Sequence, residues 1–249
     1  MAAHFEELDY RPTRMGALSL RRRRDPASGA DVHEILLGSA YLMSSRFTAS
    51  EIALAGIGLE CLQRDRLDVV VGGLGLGYTA RAVLDEPRVG RLLVVEAMAE
   101  VIDWHRQGLL PLGPGLVSDP RCRLVHADFF ACAKSDAGFD PVEPGRMHDA
   151  VIVDIDHAPD NHLDPGHAPF YTRNGIARLA GRIRPGGAFA LWSNDAPNPA
   201  FEAVLADVFA TVEARSVSFG DLNGETVINT VYLATRGSSP PSWTTHTGS

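Results

Sequence analysis

No run in this chain approaches the about 18 consecutive apolar residues that a membrane-spanning helix needs. The first residues, MAAHFEELDY, are acidic and lack the apolar stretch of a secretory leader. Basic charge is also in short supply, with 23 Lys and Arg against 31 Asp and Glu and a net charge of −8. A general nucleic-acid binder needs a basic face to release counterions, so that class is excluded. The local exception, Arg21-Arg22-Arg23-Arg24, lies in an alternating stretch and reads as a solvated strand end rather than a phosphate-binding arm. Cysteine is scarce, and Cys61, Cys122 and Cys132 show no C-x-x-C spacing. They fit buried thiols in a reducing compartment. A soluble, cytoplasmic protein is expected. Internal repeats are absent too.

What is present is an ordinary globular composition, 45% hydrophobic and 22% charged over 249 residues, enough for one α/β domain with a small appendage. Residues 1–46 read as a small β-unit. Met15–Leu20 and Val32–Leu37 carry apolar residues at alternate positions around a turn-rich RDPASGAD segment, and Tyr41–Met43 adds a third strand. Thr48-Ala-Ser-Glu51 has the reciprocal cap spacing, and Ile52, Ala55, Leu59 and Leu62 follow at helical intervals.

From there strands alternate with helices. Strands are expected at Leu67–Val71, Arg91–Val95, Arg123–His126, Ala150–Asp154 and Gly187–Trp192. Helices are expected at Tyr78–Leu84, Ala99–Gln107, Phe170–Arg182 and Phe201–Phe209. A final hairpin, Val212–Phe219 and Val227–Thr235, turns at DLNGE. Such alternation implies a mostly parallel, Rossmann-like sheet over residues 47–236 with helices on both faces. Residues 237–249, rich in Ser, Thr and Pro, read as a disordered tail.

The segment LDVVVGGLGLGYTA places Gly72, Gly73, Gly75 and Gly77 between a buried strand and a helix. Glycine suits a sharp turn and lets a ligand approach the backbone. Glu96 ends the next strand, 19 positions past Gly77, where a carboxylate can accept hydrogen bonds from both ribose hydroxyls. A dinucleotide motif would put Gly or Ala at position 78, which is Tyr78. Gly73-x-Gly75-x-Gly77 is instead the spacing of S-adenosylmethionine sites. Asp128, after the third strand, can accept the adenine amino group or cap a helix. The fold expected is therefore the class I S-adenosylmethionine-dependent methyltransferase type with a C-terminal β-hairpin.

Several ordered pieces carry a family likeness over roughly residues 30–195: VVVGGLGLGYTARAVL, LLVVEAMAEVIDWHRQGLLPLG, DPRCRLVHADFF, HDAVIVDIDHAP and PFYTRNGIARLAGRIRPGGAFAL. The chain resembles the spermidine synthase family, the polyamine aminopropyltransferases. The resemblance implies a cofactor site of Gly73, Gly75, Glu96 and Asp128 with Asp154 at the reacting end, and a homodimer. It also has departures. The acid of the family's GGGDGG motif, which contacts the cofactor's charged tail, is Gly75 here. The last acid of VEID is replaced by Ala97 or Met98. The second Asp of the catalytic D-x-x-D gives way to His157, with Asp156 one step earlier. The acidic, tyrosine-bearing segment that receives the polyamine is replaced by SSRFTASE. A dication needs an acidic lining, so that loss argues against spermidine synthesis itself.

The loop from Asp154 to His167 holds four aspartates and three histidines and follows the fourth strand of the sheet, the end at which open sheets bind ligands. Asp156 or His157 is expected to accept the nucleophile's proton. His157, His162 and His167 are also candidates to ligate a metal, but spacings of five residues in a Pro/Gly loop fix no geometry, and no metal is expected. Asp195, on the same rim, and Tyr171 are the candidate substrate residues. The leading expectation is a transferase using S-adenosylmethionine or its decarboxylated form to alkylate a small-molecule amine or similar acceptor. The alternatives are a small-molecule methyltransferase and a non-catalytic nucleoside-binding protein.

Overall fold

The computed structural model describes residues 5–26, 28–220 and 226–238. The expected DLNGE turn, and the expected tail from residue 239 onward, lie outside them. Four antiparallel strands come first and lie in chain order: β1 (Phe5–Thr13), β2 (Gly16–Arg24), β3 (Asp31–Leu37) and β4 (Ala40–Ser44). β1 was not expected, because FEELDYRPT carries charge where an alternating strand would carry apolar residues. Its pairing with β2 is reinforced by Arg22 with Glu6 at 2.5 Å, and the Trp104 indole donates to Asp9 at 2.7 Å. The arginine run occupies the last four positions of β2. Arg23 reaches across to Glu34 of β3 at 2.7 Å, so its charge is spent inside the sheet.

The main sheet has seven strands: β5 (Leu67–Gly72), β6 (Val89–Glu96), β7 (Cys122–His126), β8 (His148–Val153), β9 (Ile183–Ser193), β10 (Thr211–Gly220) and β11 (Thr226–Thr235). Their spatial order is β7-β6-β5-β8-β9-β11-β10, with β11 antiparallel to both neighbours and the first five strands parallel. This is the class I methyltransferase-like α/β sheet. The helices are α1 (Ala49–Glu60), α2 (Tyr78–Asp85), α3 (Ala99–Arg106), α4 (Gly113–Ser118), α5 (Phe129–Lys134), α6 (Arg173–Ala180) and α7 (Pro199–Ala206). Among the described residues no helix is long and apolar enough to cross a membrane.

Successive strand residues point to opposite faces, so a strand covered on both sides is apolar throughout. Val69 and Val71 pack with Leu54, Leu59, Val83 and Trp104 on one face. Val70 between them packs on the other face with Phe129, Phe170, Ile176 and Phe201. Two helices were hidden in apparent loops: α4 starts within the PLGPG segment with a proline in its first turn, and α5 is capped by Asp128. The helix expected at Phe170–Arg182 is two pieces. A 3-10 helix covers Pro165–Tyr171, and Thr172 then caps α6 by accepting from the Gly175 amide at 3.3 Å.

At its amino end the β5–β8 pair is clamped by side chains. Asp68 of β5 is buried and pairs with His148 Nδ1 at 2.8 Å and Arg146 Nε at 2.5 Å, while its amide donates to Asp149 at 2.9 Å. Burial alone would raise the Asp68 carboxyl, but hydrogen bonds and charge from His148 and Arg146 bring it below its ordinary value. Breaking a buried pair by removing one partner strands the other. Asp68→Ala should therefore lower the unfolding free energy by about 3 kcal/mol in urea titrations. A loss under about 0.5 kcal/mol would show that the clamp does not hold these strands.

Candidate active site

The strand order reverses at β5, since the chain runs outward through β6 and β7 and resumes on the other side with β8. Ligands of open α/β sheets bind beyond the carboxyl ends of the strands at such a point. A cavity of about 380 Å³ opens there. Its floor depends on two glycines. Gly73 has φ 91°, and a Cβ on it would lie 2.1 Å from the Asp154 carbonyl oxygen, so the strand ends meet backbone to backbone. The Asp154 amide donates to Gly72 O at 2.9 Å across the same junction. Gly75 has φ 47°, and a Cβ there would lie 2.3 Å from Met43 Sδ. The Leu76 amide also donates to that sulfur, at 2.8 Å. A side chain from the small sheet thus fills the place next to the glycine turn. Gly73 and Gly75 lie on the cavity wall; Gly72 and Gly77 do not, and instead end β5 and cap α2.

Glu96 and Asp128 both reach the wall. Glu96 is buried, and its two oxygens accept from the Leu74 amide at 2.9 Å and the Met98 amide at 2.8 Å. Burial pushes its carboxyl up, against the pull of those amides. Each oxygen keeps capacity for a second donor, as a diol would supply. Asp128 caps α5 through Oδ1, which accepts from the Phe130 and Ala131 amides at 2.8 and 3.1 Å. Its Oδ2 has no partner among the described residues, so capping and ligand contact are compatible.

Asp154 also stands on the wall, and its Oδ2 accepts from Thr79 Oγ1 at 2.6 Å. Burial raises its carboxyl above the ordinary value. Facing the same space is Glu51, which the sequence assigned to a capping box. Thr48 makes no side-chain cap bond, and Glu51 instead turns inward, taking a bond from Ser50 Oγ at 2.9 Å. Burial and the charge of Asp154 push Glu51 up to about 7. α1 buries Ser50, Glu51, Leu54, Ala55, Gly58 and Leu59; of the expected stripe Ala55, Leu59 and Leu62 are buried and Ile52 is exposed. A helical spacing that includes a glutamate was the signal that could have found it. The acid that SSRFTASE had lost on paper is therefore restored to the cavity by its own last residue.

The loop after β8 separates the remaining candidates. His157 lies on the wall, fixed through its carbonyl, which accepts from the Asn194 amide at 2.7 Å. Asp156 does not. It is buried behind the loop, where it accepts from the Leu163 amide at 2.8 Å, His167 Nδ1 at 2.8 Å and the Tyr171 hydroxyl at 2.9 Å. Those partners make it the organiser of the loop rather than a group open to a substrate proton. Tyr171 is committed to Asp156 and stacks on His162, so it is not on the substrate side. Asp195 is exposed and off the wall, and Asn198 caps α7. His162 bonds to the Pro159 carbonyl, His167 stacks on Phe130 at 3.9 Å, and the three histidines do not converge. Among the described residues no group of three His, Cys, Asp or Glu side chains is disposed to hold a metal. The wall carries five carboxylates (Glu51, Glu96, Asp128, Asp154 and Asp164) against Lys134 as its one lysine. Such a lining favours a cation.

No family model matches the chain. Polyamine aminopropyltransferase 2 of Pseudomonas aeruginosa is 33% identical over 153 residues, which are 59% of this chain and 41% of that protein. A polyamine aminopropyltransferase of Corynebacterium efficiens is 32% identical over 131 residues, 53% of this chain and 23% of that one. The match thus spans less than half the length of these relatives. Among solved structures, a spermidine synthase in complex with the transition state analogue AdoDATO superposes with a TM-score of 0.70 at 17% identity, covering 94% of this chain and 75% of that one. The spermidine synthase of Thermotoga maritima gives 0.68 at 15%, covering 94% and 74%. These two likenesses show the fold.

A carboxyl raised by folding stabilises the protein in its neutral form, below its unfolded pKa near 4.5, and that contribution is lost as the pH rises through about 7. Asp154, Tyr78 and Ser50 are the groups that act on Glu51 or are acted on by it. Glu51→Gln removes this loss. Its stability relative to the unsubstituted protein should rise between pH 5 and pH 8 by on the order of 2 kcal/mol in urea melts. A difference that stays constant across that range would mean that Glu51 ionises normally in the fold.

Proposed function

We propose that this chain, spermidine synthase-like in sequence and in fold, is a transferase that moves an aminopropyl group from decarboxylated S-adenosylmethionine to a small amine. The observation that carries this reading is the division of the cavity's acids by their partners at the switch point. Glu96 and Asp128 are held by backbone donors, and Asp128 keeps a free oxygen. Glu51 and Asp154 line the same cavity and are bonded by hydroxyls. Glu96 would hold a ribose diol and Asp128 an adenine amino group, leaving the sulfonium and its alkyl chain beside Asp154. Gly73 and Gly75 line the same space.

The sulfonium donor supplies an electrophilic methylene carbon. The amine nitrogen bonds to that carbon as the carbon–sulfur bond breaks, methylthioadenosine leaves, and the nitrogen sheds one proton. Asp154 orients the amine and favours the positive charge that grows on its nitrogen. His157, on the same wall as Asp154, is the proton acceptor. Asp156 acts at one remove. By tying Leu163, His167 and Tyr171 together it fixes the loop that presents His157.

The test is product analysis by mass spectrometry after incubation with decarboxylated S-adenosylmethionine and a panel of primary amines. Methylthioadenosine and an aminopropylated amine should form in equal amounts, and Asp154→Asn should lower kcat/KM by about 100-fold or more. Formation of S-adenosylhomocysteine from S-adenosylmethionine instead, or no product from any amine, would overturn the proposal.

A further inference from the structure

Asparagine is poorly suited to a strand, and a buried polar side chain costs free energy unless it is bonded. β11 nevertheless buries Asn229 and Thr230 side by side, just before its apolar run Val231 to Ala234. Thr230 pairs with Ser193, the last residue of β9, so the two polar residues lie where β9 gives way to the loop before α7. Their bonds go to that loop. Asn229 Nδ2 donates to the carbonyl oxygen and to the side-chain oxygen of Asn194, at 3.3 and 3.1 Å. A backbone carbonyl only accepts, so the Asn229 atom facing it is the amide nitrogen. Thr230 Oγ1 donates to the Asp195 carbonyl at 2.7 Å.

Asn194 passes its bond on to the site. Its amide donates to the His157 carbonyl at 2.7 Å, and the Ala158 amide, the other end of the same peptide, donates to the Asn161 carbonyl at 3.1 Å. A planar peptide bonded at both ends fixes the backbone on the carboxyl side of His157. Asp156 ties down the residue before it. The other bonds from β11 do not reach this point. Among the described residues Asp195 makes no bond to the loop after β8. Tyr232, whose hydroxyl accepts from the Asn198 amide at 2.7 Å, reaches that loop only at Asp160, through Asn198 Nδ2 at 3.1 Å. No described residue of β10 or β11 lines the cavity. Resting on the transferase reading above, we propose that Asn229 is a positioning residue of the active site: it holds Asn194, and through Asn194 it sets where the proton acceptor His157 stands. The C-terminal hairpin thereby acts on the chemistry without touching a substrate.

Steady-state kinetics of the full chain, with decarboxylated S-adenosylmethionine and an amine that the unsubstituted chain accepts, test this role. Asn229→Asp keeps the shape and sets an oxygen against the Asn194 carbonyl. Asn229→Ala removes the donor without burying a charge, and it serves if the first variant does not fold. Either should lower kcat by about tenfold or more, as a displaced catalytic group does. The donor's KM should stay within about twofold, because Glu96 ends β6, four places from β11 in the sheet. Thr230→Val, which severs the bond to Asp195 alone, should leave kcat within about threefold. In a His157→Ala background Asn229→Ala should cost no more than about twofold in kcat, since the group it positions is gone. Amide hydrogen exchange gives a reading apart from turnover: the Asn194 amide should exchange about tenfold faster in either Asn229 variant. Unchanged kcat, a fall matched by Thr230→Val, a full-sized fall without His157, or unaltered exchange at Asn194 would each overturn this role and leave the transferase reading standing. No product from the unsubstituted chain with any amine would overturn that reading, and this role with it.

Discussion

The meeting of the β5 and β8 ends is the constraint on which the rest of the site depends. The Gly73 backbone lies so close to the Asp154 carbonyl that no side chain fits between them. The Asp154 amide closes the junction onto Gly72 O. At the opposite end the Asp68 clamp holds the same two strands. Between these fastenings the strand pair is buried on both faces, and the reversal of order at its carboxyl end opens the cleft. Asp154 is thus fixed at the rim by backbone geometry, and its carboxylate has only to turn towards Thr79 and the cavity.

What was legible in the sequence was what is local along the chain. The glycine turn, Glu96 and Asp128 each sit at a strand end, where the pattern of buried strand followed by turn specifies position and direction. The parallel sheet and its hairpin followed from the same alternation. What was not legible depends on partners distant in sequence. Met43 meets Gly75 from another sheet, and no spacing relates them. β1 is an edge strand stabilised by charge pairs, so it lacks the apolar period that marks a strand. Glu51 was misread because a helix-capping motif and an inward-facing glutamate share the same four residues, and only packing chooses between them.

The loop after β8 teaches the converse. Asp156 and Tyr171 have the residue types of a catalytic pair, yet they face each other behind the wall. A carboxylate buried with three donors rigidifies its loop, and sequence alone does not separate that role from proton transfer. His157 is then left as the loop's ionisable side chain on the wall nearest Asp154 in sequence. The acids of the cavity also divide by their partners. Glu96 and Asp128 are satisfied by backbone amides, whereas Glu51 and Asp154 have hydroxyls and each other. That asymmetry gives the cavity a preorganised pair of acids and a pair whose charge is completed by what binds.

The charge-completing pair is the central claim, and the most direct measurement of it is the relative affinity of the intact chain for S-adenosylmethionine and its decarboxylated form, by calorimetry at pH 7.5. The two ligands share the adenosine and the sulfonium and differ by a carboxylate at the tail. Binding of the decarboxylated form at least about tenfold tighter is expected, as a factor of ten corresponds to about 1.4 kcal/mol of tail discrimination. Equal affinity, or tighter binding of S-adenosylmethionine, would contradict a cation-selecting pair at Glu51 and Asp154.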